Sequence, residues 1–168
     1  TSFGDVKIAE DTVTDVYGEE QELNVKAVYH DPEHNLELEY QSLDYGVKEN
    51  IILNERPESN RFTFLMELEG VYPKLDDPDV GNGITFFDTK TDAIVGGIEA
   101  PFMNDATNAA YSEELHYELV KHPEKEYAYY LTLEVAASYL DDKLRVYPVT
   151  IDPTTTWTGI SKVEDTYI

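Results

Sequence analysis

The sequence contains no cysteine among its 168 residues. That excludes a disulfide framework and any thiolate metal site, and leaves apolar burial and hydrogen bonding to hold the fold. Basic side chains are scarce: 12 Lys and Arg stand against 35 Asp and Glu, a net charge of −23 at pH 7. A surface of that sign repels phosphate backbones and anionic headgroups, so electrostatics argue against nucleic acid and membrane surfaces as partners. No run of 18 apolar residues occurs, so no helical membrane span is expected. Thr1 opens no charged-then-apolar leader, and the chain reads as a module excised from something longer. Nucleophile elbows, phosphate loops and zinc signatures are also missing.

What is present is apolar and aromatic bulk. Hydrophobic residues make up 41% of the chain and include 13 Tyr and 6 Phe, enough for one packed domain and too much for a disordered segment. The stretch from Tyr45 to Gly70 organises the rest: two extended runs flank a polar turn containing Pro57. This is the pattern of a long hairpin or of two successive strands in one sandwich. Phe62, Phe64, Met66 and Leu68 alternate and therefore share a face that something must cover. Strands are expected at Leu23–Tyr29, Leu36–Tyr40, Ile84–Asp88 and Ala93–Phe102, with the Gly96-Gly97 pair marking a bulge or a close backbone approach. Leu115, Tyr117 and Leu119 alternate, as do Tyr127, Tyr129, Leu131, Leu133 and Val135, which predicts a hairpin turning at HPEKE. Ala136–Lys143 is the best helical turn, and Tyr147–Pro153 is the last clear strand. The expected fold is all-β, an antiparallel β-sandwich of jelly-roll or related type with at most one or two short helical turns.

Three stretches invite chemistry. The acid-rich turn from Leu75 to Gly83 offers Asp77, Asp79 and Asp88 at calcium-loop spacing, but Gly81 and Asn82 break the pattern at two positions, which favours a hairpin loop. No cofactor is required by any motif, and calcium is the metal that the composition invites. Glu49 lies on the apolar side of a strand with Val47, Ile51 and Leu53, a costly place for a carboxylate unless it is paired or at an edge. The sharper alternative there is an intramolecular amide between Lys48 and Asn50 promoted by Glu49. His30 and His34 flank Pro32, so their four-residue spacing marks a turn rather than a helical metal site.

The words NLELEY with GVKENIILNERP, APFMNDA (Ala100 to Ala106) and YPVTIDPTTTW (Tyr147 to Trp157), in that order, carry a family resemblance. The chain resembles the β-rich module that precedes DNRLRE segments in large bacterial wall-associated YD-repeat proteins of the Rhs type. The resemblance implies an extracellular or cell-wall setting in a Gram-positive bacterium, with neighbouring modules of the same polypeptide as partners. The resemblance spans roughly Leu23 to the C-terminus; with the chain length it leads to the expectation of one module over residues 1–157 and the start of the next module, or a linker, over 158–168. No catalytic residue comes with it.

Three functions then compete. The first is a non-catalytic structural or interaction module. The second is a carbohydrate-binding module that stacks polysaccharide on Tyr45, Tyr72, Tyr129, Tyr130 and Trp157. The third is a glycoside hydrolase with paired carboxylates, which no pattern singles out among the 35 acids. The expectation from the sequence is the first, and with it that the protein is not an enzyme.

Overall fold

The computed structural model describes residues 6–14, 20–31, 35–43, 46–77, 79 and 81–157, with side chains from Ala27 onward. Strands β1 (Val6–Thr14), β2 (Glu20–Asp31), β3 (Leu36–Leu43) and β4 (Gly46–Leu53) form an antiparallel meander. The chain then leaves this sheet. After the turn containing Pro57, β5 (Arg61–Glu67) pairs with β11 (Ala128–Val135), which pairs with β10 (Leu115–Lys121) in a second sheet. The runs on either side of that turn are thus successive strands in opposite layers, not a hairpin.

β6 (Val71–Leu75), β7 (Ile84–Asp88) and β8 (Ile94–Ile98) return to the first sheet, followed by the short β9 (Phe102–Asn104). A four-residue helix, α1 (Ala137–Leu140), occupies the expected helical turn. The end of the described chain, β12 (Val149–Asp152) and β13 (Thr154–Trp157), enters the middle of the large sheet. β12 lies between β4 and β9, and β13 lies between β4 and β8. The all-β, antiparallel, two-layer expectation holds. Thr154–Trp157 forms a strand beyond the expected last one, which ends at Pro153.

Period-two patterning places the core between the layers. From the small sheet come Phe62, Leu115, Tyr117, Leu131, Leu133 and Val135; from the large sheet come Leu38, Ile51, Leu53, Ile84, Ile98, Val149 and Ile151. Phe64 and Met66 pack against them, and Leu68 is buried, so the face read from alternation in β5 is the inward one. Ile51, Ile151 and Met103 meet across three adjacent strands with at most 1% exposure each. A Cβ on Gly96 would stand 2.3 Å from the Thr156 carbonyl oxygen, and one on Gly97 the same distance from that of Ile84. The glycine pair therefore admits a close backbone approach on both sides of β8, and the β7 register shifts beside it.

A small cavity of about 30 Å³ remains between the layers, lined by Glu49, Ile51, Ile98 and Pro153 on one side and Phe64, Tyr117 and Leu133 on the other. Tyr117 is buried, and its hydroxyl meets no hydrogen-bond partner among the described residues. Burial, with Glu49 and Asp152 nearby, pushes that phenol far above its ordinary pKa.

Ile151→Ala empties a site with no solvent exposure and is expected to lower stability by about 2–5 kcal/mol in urea denaturation; a loss below about 1 kcal/mol would contradict this packing. Tyr117→Phe removes only an unpartnered hydroxyl, so the same measurement should show no change or a gain of about 1 kcal/mol, and a clear loss would contradict it.

Candidate functional site

The residues singled out for chemistry in the sequence do not converge. Asp77 accepts a hydrogen bond from the Asp79 backbone N–H at 3.0 Å within the β6–β7 loop. Asp88 sits at the far end of β7 and caps the next turn, accepting from the backbone N–H groups of Lys90 and Thr91 and from the Thr91 hydroxyl. A five-residue strand between them spans about 15 Å, so the three aspartates do not form one calcium loop. The Asp77 and Asp88 side chains serve as local turn acceptors instead.

The Lys48, Glu49 and Asn50 triplet also divides. Lys48 Nζ reaches Asp152 Oδ2 at 2.6 Å rather than Asn50, and Asp152 is only 7% exposed. Asn50 Nδ2 donates to Glu39 Oε1 at 2.9 Å. Glu49 faces the interlayer cavity on the opposite side of β4 and accepts a hydrogen bond from the Tyr40 hydroxyl at 2.8 Å. A carboxylate on the apolar face is thus satisfied by a tyrosine on the neighbouring strand. His30 approaches Glu37 at 3.6 Å, while His34 lies outside the described residues.

The aromatics proposed for sugar stacking occupy different surfaces. Tyr45 lies outside the described residues. Tyr72 stacks on Phe87 at 5.5 Å on the large sheet, and its hydroxyl donates to Asp92. Tyr129 packs toward the core, and its neighbour Tyr130 points out of the small sheet, tilted against His122 at 5.0 Å. Trp157 lies at the end of β13 beside Gly96. Consecutive strand positions face opposite ways, so Tyr129 and Tyr130 cannot share a platform. The aromatic count gives sugar binding no support in this arrangement.

Two clusters that the sequence reading missed are the best-formed polar sites. The first lies on the outer face of the small sheet. Strand register brings His116 opposite Glu134 and Glu134 opposite Arg61, with Glu118, Thr132 and Thr63 in the next row. Arg61 bridges both carboxylates: Nη2 lies 2.5 Å from Glu118 Oε2, and Nη1 donates to Glu134. Its hydrogen bond and charge hold the Glu118 carboxyl below the ordinary glutamate range, with His116 adding a smaller effect. Beneath, the Thr63 and Thr132 hydroxyls share a hydrogen bond of 2.8 Å. Only long-range register assembles this group.

The second cluster clamps α1 and the segment before β12 to the loop after β9. The Arg145 guanidinium stacks 3.5 Å over the Tyr139 ring, donates from Nε to the Tyr139 carbonyl at 2.9 Å, and lies 3.7 Å from Asp105 Oδ2. Asp105 is buried and takes hydrogen bonds from the Thr107 hydroxyl and backbone N–H. Those bonds, led by the hydroxyl, and the Arg145 charge hold its carboxyl below the ordinary aspartate range. Asp105 belongs to the APFMNDA stretch, and Arg145 lies two residues before YPVTIDP.

Among known proteins, the chain is 29% identical over 147 residues to the tRNA(Glu)-specific nuclease WapA of Bacillus subtilis subsp. natto. It has the same identity over the same length to the tRNA nuclease WapA of Bacillus subtilis and to the tRNA3(Ser)-specific nuclease WapA of Bacillus spizizenii. Each alignment takes in 84% of this chain, which spans 6% of the length of each relative. No family model and no solved structure matches. These names correct the expectation that the protein is not an enzyme, since the relatives are nucleases. They also stand against excluding nucleic acid as a partner on charge alone, since the relatives' names specify tRNA.

The clamp gives a pH-dependent expectation. A carboxyl whose folded pKa lies below its unfolded value stabilises the fold above the unfolded value, and that contribution is lost as pH falls through the folded one. The Tm difference between wild type and Asp105→Asn should therefore be largest near neutrality and close below about pH 4. A difference that widens on acidification would contradict the assignment.

Proposed function

We propose that this chain is a β-sandwich scaffold module of a large, toxin-like bacterial cell-surface polypeptide whose overall activity is cleavage of tRNA. The observation that carries the proposal is the alignment: most of this chain matches, yet it corresponds to a small fraction of each nuclease. The fold supports the scaffold role. The four stretches that suggested a wall-associated YD-repeat protein lie on neighbouring strands of the large sheet, β3, β4, β12, β13 and β9, held by backbone ladders, buried aliphatic side chains and local ion pairs and hydrogen bonds such as Lys48 with Asp152. The extracellular setting and the neighbouring modules as partners belong to the same proposal.

The charge fits a structural role better than direct recognition of nucleic acid. With 35 acids against 12 bases, the module's field opposes approach of an RNA backbone, and on this proposal the main contact with tRNA is made elsewhere in the polypeptide. The test is deletion of this segment from the full polypeptide, with tRNA cleavage by purified protein and display at the cell surface measured separately. Cleavage should persist while display or export falls. Cleavage of tRNA by the 168-residue chain alone would overturn the scaffold reading.

A further inference from the structure

We propose that His116, Glu118 and Glu134 form a binding site for a divalent transition-metal ion, one that Arg61 guards in the metal-free state. The argument begins with register. β10 and β11 place the imidazole of His116 directly across from Glu134, with Glu118 one step further along the same face. One ring nitrogen and one oxygen from each carboxylate lie within 4.8 Å of one another. Tetrahedral zinc holds such ligands at about 2.0–2.2 Å, hence about 3.4 Å apart, so a closure of up to about 1.4 Å by these solvent-accessible side chains completes the site. Calcium and magnesium take oxygen ligands, whereas one imidazole with two carboxylates suits a borderline ion such as zinc and leaves a fourth position open to water.

A separate observation points to a cation at this place. The two carboxylates already converge on one positive charge, the Arg61 guanidinium, which pairs with both. Arg61 comes from β5, outside the ligand pair of strands, and its side chain is 44% exposed, so it can swing to solvent without moving the backbone. Like charges on neighbouring strands repel, so a cation between the two glutamates is favoured. The guanidinium and a metal ion therefore compete for one position. The ligands stand on paired strands of a sheet packed against the core, which fixes their backbones in advance.

The competition supplies a test with opposite signs. Zinc chloride is titrated by calorimetry into chelator-treated protein, with thermal melts alongside. The wild type should bind one ion per chain. His116→Ala should weaken binding at least about tenfold, since even outer-shell losses reach that size. Arg61→Ala should bind more tightly than wild type, and its melting temperature should rise most on adding zinc. His122→Ala, at a histidine in the turn just after β10 and outside the cluster, should match wild type. Unchanged affinity in His116→Ala would show ions scattered over an acidic surface and overturn the proposal. Weaker binding in Arg61→Ala would overturn it too. All three substitution sites have solvent-accessible side chains, and unchanged far-ultraviolet spectra would verify that each variant is folded.

Discussion

The structure depends on the pairing of its last described strands along β4. From Ile151 opposite Ile51 to Thr154 opposite Lys48 the register runs without a shift, so β12 and β13 form one continuous rail on either side of Pro153. Each half of that rail also carries a second neighbour, β9 for β12 and β8 for β13. The β1–β4 meander and the β6–β8 group are joined in one sheet through this rail. Ile151 is fully buried within it, and the ion pair of Lys48 with buried Asp152 fastens the point where the chain passes from one half to the other. Pairing between residues so far apart in sequence carries a loop-closure cost that the burial along the rail must offset.

This arrangement explains what was legible in the sequence. Alternation exposed the inward faces of β5, β10 and β11, and the HPEKE turn and the helix at Ala137–Leu140 followed from local turn and periodicity signals. Alternation alone does not assign a strand to a layer, so the parting of β4 and β5 into opposite sheets stayed ambiguous. The TTTW strand lacked an apolar alternation because its residues are only partly buried beside Gly96 and Gly97. Sites fared worse than strands for the same reason. Asp77 and Asp88 are eleven positions apart in a plausible loop, yet an intervening strand puts them at opposite ends of β7. Arg61, Glu118 and Glu134 are far apart in sequence and meet only because β5, β11 and β10 are neighbours.

The functional reading was limited by the extent of the chain. Motif tests see only the chemistry of the residues at hand, and these residues correspond to 6% of each related nuclease. A strand-and-turn vocabulary accurately described a β module, whereas the link to nucleases comes only from the names of the relatives. The proposed scaffold role and the proposed metal position are independent: one rests on the buried rail of the large sheet, the other on the outer face of the small one.

The most direct measurement of the account is native-state hydrogen exchange. If the rail closes the fold, the amides of Ile51, Ile151, Thr155 and Ile98 should exchange in one slow class, with a free energy equal to that of global unfolding. Exchange of the β13 amides at a much lower free energy, while β4 remained protected, would contradict the claim that these last strands hold the two parts of the sheet together.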